Sequence, residues 1–431
     1  MNDASTQRRP AAHTVGTVGT AAHTASTAPA AEERPHAAST CQPEPESLWT
    51  LFRVVFALSA LSWGGLALMA QLELHYVERE RRFTQVQYSD LIALSWMIPG
   101  AVGCNVAVQV GYALRGRIGA CVAGIASVLP FFCTMTAFAT FYQTSFISTL
   151  AAPGLIDHFA VVLAVLIGIT WYRQTRALVR APLEWAVAAI ACVVLLTIHS
   201  TASFVLLLAG SFMTGWIASP ARGGQLRISL GLTDKLVVLA LLTLIALFAI
   251  PLPPDDAAKL IWPRLAGAGV TLFGGGFSAL PVFKALFETP ALGITSREFT
   301  LAFALSPVSP GPLLNVLPFL GYLVHGWIGA IAATCSMFIP SGILIVFARR
   351  HLHRLEAHER FEHGMRALRA ATTAFLLTAV VHIGNRAPHE PAYLVTAAFA
   401  LVCLARLKIP VYAVYGIVAA VFFAARLAGY R

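Results

Sequence analysis

The chain has 431 residues, of which 57% are hydrophobic and only 12% charged, with a formal net charge of +10. Soluble domains carry roughly 25% charged residues, so half that proportion over such a length excludes a water-soluble fold. With a mean hydropathy of +0.72, the chain is expected to be an all-α polytopic integral membrane protein. Its apolar runs approach the length of a helical span, and a β-barrel would show only weak alternation.

The basic excess needs no nucleic-acid partner. Lys and Arg fall in loops, as the positive-inside bias predicts, and no basic patch with stacking aromatics stands out. The seven cysteines are scattered singly, with no Cys-x-x-Cys pair. Neither a metal site nor a disulfide framework is indicated, and no cofactor is expected.

Residues 1–50 read as a disordered cytoplasmic tail, too poor in large apolar residues to fold. Apolar stretches follow at 51–71, 89–112, 118–143, 155–171, 183–199 and 202–219. A linker over 220–257 contains an isolated stretch at 235–251. Six more lie at 262–281, 298–324, 327–348, 371–384, 391–407 and 409–427, within a second unit spanning 258–431. The prediction is about 13 spans, six and six around one extra.

The first unit, 51–219, is repeated in the second. Between Asn105–Pro130 and Asn315–Pro340, 10 of 26 paired positions are identical, including Gly111/Gly321, Tyr112/Tyr322, Gly116/Gly326, Gly119/Gly329 and Pro130/Pro340. Six spans return the chain to its starting side and the seventh carries it across. The second copy then enters upside down, as in many secondary transporters. On that layout 22 Lys and Arg lie on the side of the N-terminal tail and 8 on the other. This places the N-terminus in the cytoplasm and the C-terminus outside. The basic, His-rich segment 349–370 reads as an amphipathic cytoplasmic helix near anionic lipid.

Each copy carries helix breakers at membrane depth. Gly64-Gly65 pairs with Gly274-Gly275, followed by Gly276, and Pro99-Gly100 pairs with Pro310-Gly311. Three prolines in Pro307–Pro312 cannot sit in a continuous helix, because each removes a donor and clashes with the preceding turn. A break exposes backbone N–H groups with partial positive charge, which suits an anion. The expected substrate site is therefore Gly64, Gly65, Pro99, Gly100 and Asn105 with Gly274, Gly275, Gly276, Ser309, Pro310, Gly311 and Asn315. Gly111, Gly119, Gly321 and Gly329 read mainly as packing glycines. Asp90, Glu288 and Glu298, with Glu78, are the carboxylates nearest the breaks, and candidates for proton coupling.

Phe273–Gly276, Ser309–Val316, Phe319–Tyr322 and Gly326–Ala330 closely resemble the chromate ion transporter family, in its long two-domain form. Val77-Glu78-Arg79, Pro99-Gly100, Asn105 and Gly111-Tyr112 resemble that family's N-terminal half. The resemblance covers roughly 51–385. It implies a secondary transporter, not an enzyme, that exports chromate, with sulfate as the related oxyanion, across the cell inner membrane. Family members usually carry Gln shortly before each Pro-Gly, where Trp96 and Pro307 stand here, so another anion on the same fold is the alternative. An intramembrane enzyme acting on lipid phosphate is a third reading, without a catalytic constellation to carry it. The expected partners are a small inorganic anion and the lipid bilayer, and a homodimer is left open.

Overall fold

The computed structural model describes residues 46–63, 67–143, 153–198, 200–220, 231–273, 276–351, 359–385 and 390–428. Nearly all of the N-terminal tail, part of the linker and the middle of the His-rich segment therefore lie outside the described residues. The described residues are helical, with a single isolated bridge between Trp63 and Gly311 in place of any sheet.

In chain order the α-helices are α1 Leu48–Ala60, α2 Ala67–Glu73, α3 Gln85–Met97, α4 Val102–Gln143, α5 Pro153–Leu178, α6 Pro182–Thr197, α7 Thr201–Ala218 and α8 Leu232–Ala249. They continue with α9 Pro254–Lys259, α10 Ile261–Gly269, α11 Leu280–Phe287, α12 Ser296–Leu305, α13 Val316–His351, α14 Glu359–Gly384, α15 Pro391–Leu401 and α16 Val411–Leu427. Six are long and apolar enough to cross a membrane: α4, α5, α7, α8, α13 and α14; α1, α6, α15 with its π-helical extension, and α16 are shorter apolar helices. The chain is an all-α, multi-pass membrane protein.

Both α4 and α13 fold back on themselves in the same place. Arg115 and Gly116 have φ/ψ of −143°/22° and 61°/−146°, and His325 and Gly326 have −143°/33° and 57°/−143°. The copied Gly116 and Gly326 supply the left-handed residue such a turn requires. The two limbs then touch backbone to backbone, and a methyl group on Gly111 would collide with the Gly119 carbonyl, as one on Gly321 would with Gly329. These glycines are packing residues, as expected.

The predicted stretches 51–71, 89–112, 262–281 and 298–324 are all broken near their middles. In the first copy α1 leads into α2, which continues as a π-helix over Leu74–Arg79. The Tyr76 hydroxyl donates to Glu46 at 3.2 Å, so the chain has returned to the level at which α1 began. From there α3 starts with a capping box, Thr84 accepting from Gln87 N–H. The first limb of α4 ends where Arg115 Nε donates to the Glu46 carbonyl. The second copy repeats this. The turn at Pro290–Leu292 packs on α9, just before α10. A capping box at Thr295 and Glu298 starts α12. The first limb of α13 ends with His325 against Trp262 at the start of α10, ring centroids 6.1 Å apart.

Candidate substrate site at the helix breaks

Each break meets the break of the other copy. Gly100 N–H donates to the Leu272 carbonyl at 2.9 Å, and Gly311 N–H donates to the Ser62 carbonyl at 2.8 Å. Pro-Gly of one copy thus bonds to the backbone two residues before the glycine motif of the other, in both directions. Gly100 and Gly311 have φ of 115° and 100°, a region that side-chain-bearing residues rarely adopt. Gly64, Gly65, Gly274 and Gly275 lie outside the described residues. Gly276 is buried and opens a 3-10 turn that contacts Leu313–Asn315, so the two crossings adjoin.

The crossings differ in chemistry. Against Gly100 lies the Ser341 hydroxyl, 3.0 Å from both the Pro99 carbonyl and Asn105 Oδ1. Asn105 Nδ2 donates to the same carbonyl at 3.2 Å. Against Gly311 lies the Phe131 ring, its Cδ1 2.7 Å from where a Cβ would stand. Phe131 and Ser341 are equivalent positions, each one residue beyond the shared Pro130/Pro340. In the second copy Asn315 is held locally: Ser306 Oγ donates to its Oδ1 at 2.6 Å and its Nδ2 donates to the Ser306 carbonyl at 2.9 Å. Asn105 and Asn315 are both buried. Each spends its amide on a carbonyl freed by its own break. Ser309 and Pro310 are buried in the same turn, Ser309 donating to the Pro310 carbonyl at 3.2 Å.

The carboxylates separate. Glu298 closes the Thr295 capping box, and Asp90 and Glu78 are exposed. Glu288 accepts from Ser296 Oγ at 2.9 Å and lies 4.0 Å from Lys284. It lines a cleft of about 570 Å³, counting its open mouth, shared with Asp157, Lys284, Thr300 and His382. Arg349 departs from the sequence expectation. It packs on the first limb of α4 and donates to the Gln109 carbonyl at 2.9 Å, over the Tyr112 ring. Sequence reasoning missed Ser341, Ser306 and Arg349. The repeat register pairs Ser341 with Phe131, which marks the position as unlike in the two copies.

Broken helices that meet between two related parts of a helical membrane protein are a layout common among membrane transporters. The profile of the chromate transporter family matches residues 49–216 and 260–425, and the chain belongs to that family. It is 28% identical over 334 residues to a chromate transport protein of Pseudomonas aeruginosa, covering 74% of this chain and 76% of that one. It is 27% identical over 302 residues to a chromate transport protein of Cupriavidus metallidurans, covering 67% and 71%. An uncharacterized transporter of Methanocaldococcus jannaschii is 25% identical over 306 residues, covering 70% and 75%. No solved structure matches significantly. The chain is a transporter, not an enzyme.

Proposed function

We propose that the chain is a secondary transporter that exports chromate, or a related oxyanion such as sulfate, across the cytoplasmic membrane. The observation that carries this is the reciprocal pair of bonds, Gly100 to Leu272 and Gly311 to Ser62. Irregular backbone at membrane depth is tolerated only where protein or a polar cavity surrounds it. The helix ends opened beside these crossings support this reading, because their partial positive charge suits an anion. Asn105 and Asn315 act there by holding the breaks open.

The inverted repeat is part of the same reading, with a changed count. The broken pairs α1–α2 and α3–first limb of α4 enter and leave on the side of the N-terminal tail. Their counterparts α10–α11 and α12–first limb of α13 enter and leave on the opposite side. Nine crossings remain in place of thirteen: the second limbs of α4 and α13, with α5, α6, α7, α8, α14, α15 and α16. The change moves Arg79, Arg81 and Arg82 to the tail side and Lys284 and Arg297 away from it. The Lys and Arg split becomes 23 to 7. An odd number of crossings keeps the N-terminus cytoplasmic and the C-terminus outside.

Direction follows from charge. A divalent oxyanion leaving a negative interior gains roughly 4.6 kcal/mol per 100 mV, at about 2.3 per charge. Export needs no coupled ion. If a proton is exchanged, Glu288 is the carboxylate for it, since it faces the charged cleft while Glu298 is spent on a cap and Asp90 is exposed.

The test is transport into oriented proteoliposomes containing the purified chain. Chromate or sulfate should move, and Pro310→Ala and Asn315→Ala should slow it. Normal transport in both variants would remove the breaks as the site. A second reading, a different anion, draws on Trp96 and Pro307 where relatives of this family usually carry Gln. A competition panel of oxyanions and organic anions separates the two.

A further inference from the structure

On the tail side of the Gly100 crossing, α13 runs beside the first limb of α4. Two polar contacts join them: Ser341 to Asn105 at the break, and Arg349 to the Gln109 carbonyl beyond it. Eight residues of helix separate Ser341 from Arg349, about 12 Å along the axis. Between them Ile345 and Ala348 pack on Leu94 and Val108, an apolar seal.

Arg349 is placed unlike its basic neighbours. Arg350 and His351 pair with Asp234 at 3.7 and 3.3 Å. Arg349 is half-buried and, among the described residues, has no carboxylate partner. Its contacts are one backbone carbonyl and the Tyr112 ring, 5.6 Å away. A guanidinium presents five donors in a planar fork that matches an oxyanion bidentately. One donor is used on Gln109. A half-buried cation without a counter-charge is costly to hold, and a passing anion supplies one.

We propose that Arg349 is the receiving residue for the substrate oxyanion on the tail side, beneath the Ile345 seal, and hands it to the Gly100 crossing. The inference rests on the transporter reading above, and adds to it an entrance and a charge that selects for divalent oxyanions. The Gly100 crossing, with the Ser341 hydroxyl and the Asn105 amide, is the polar end of that path. The Gly311 crossing, closed by Phe131, is not.

The experiment measures initial transport rates against chromate and sulfate concentration, in vesicles with the tail side facing the added substrate. It uses the full chain carrying Arg349→Gln or Arg349→Lys. Thermal midpoints in detergent are measured alongside. Arg349→Gln should raise KM about tenfold or more, the weight of one charge-assisted contact, with maximal rate and midpoint close to wild type. Arg349→Lys should fall between, because it keeps the charge and loses the fork. Unchanged KM in both variants overturns the proposal. So does a fall in midpoint and maximal rate with KM intact, which a purely structural arginine would give. If Arg349→Gln does not fold, Arg349→Lys decides alone: a wild-type KM overturns the proposal. Wild-type protein that moves neither anion removes the oxyanion reading itself. Wild-type transport that Pro310→Ala slows, with no KM effect at Arg349, removes this inference only.

Discussion

The Ser341 hydroxyl lies 3.0 Å from Asn105 Oδ1, although 236 residues separate them in the chain. One hydroxyl proton faces two acceptors, since the Pro99 carbonyl is equally close. Donation to Asn105 orients the amide so that its own Nδ2 can satisfy Pro99. The first copy's break is therefore held by a residue of the second copy.

Ser341→Ala should leave a buried acceptor without a donor, at a cost of about 1–3 kcal/mol. The thermal midpoint in detergent checks this. Ser341→Thr keeps the hydroxyl and should recover much of the loss. A double-mutant cycle with Asn105→Ala should show coupling of about 1 kcal/mol, as for residues in contact. Additive losses would mean the two side chains act independently.

The glycines of the two folded-back helices fall into two classes. Gly111 and Gly321 press on the Gly119 and Gly329 carbonyls. Alanine at either forces the limbs apart, and a loss above about 3 kcal/mol is expected where a packed backbone contact must open. Gly116 and Gly326 face open space, with φ of 61° and 57°. Alanine there meets only backbone strain, about 1–3 kcal/mol, because positive φ with ψ of −146° and −143° is a region held almost only by glycine. Thermal midpoints should rank Gly111→Ala well below Gly116→Ala. Equal effects would show that the limb contact is not tight.

Much of this was legible in the sequence, and the part that was not has a physical cause. The duplication, the breaks at Pro99-Gly100 and Pro310-Gly311, and the packing role of Gly111 and Gly119 all follow from residue type and spacing. Hydropathy could not distinguish a stretch such as 89–112 that crosses the bilayer from one that turns back inside protein. Both bury apolar side chains, and the returning pair is betrayed only by contacts such as Tyr76 with Glu46. On the proposed nine-crossing reading, parity conceals the difference, because each copy would contain two such stretches and the termini would keep their sides. Sequence alone groups Arg349 with the basic residues of 349–370, because its inward turn depends on a partner helix 240 residues away.

Sidedness tests the returning helices directly. In a cysteine-free background, single cysteines at Arg81 and Gly116 should react with a membrane-impermeant maleimide from the same side. Those at Gly293 and Gly326 should react together from the opposite side. Thirteen simple crossings instead place Arg81 across the membrane from Gly116, and Gly293 across from Gly326. Labelling of Arg81→Cys from the face opposite to Gly116→Cys would restore them.

Gly100 and Gly311 each combine a positive φ with a close approach from the other half. Each has φ above 90°, and each donates its N–H to the other half. Alanine at Gly100 meets the Ser341 hydroxyl, and at Gly311 the Phe131 ring. Both substitutions combine steric overlap with strain of about 1–3 kcal/mol, and both should lower the thermal midpoint and transport. Relieving the overlap separates the two causes. Gly100→Ala with Ser341→Gly, or Gly311→Ala with Phe131→Ala, removes the obstructing group and leaves φ as it is. Recovery should be partial, because the crossing depends on a backbone angle that alanine resists. Complete recovery of transport in both pairs would reduce the requirement to space alone, and the glycines would then be packing residues like Gly111.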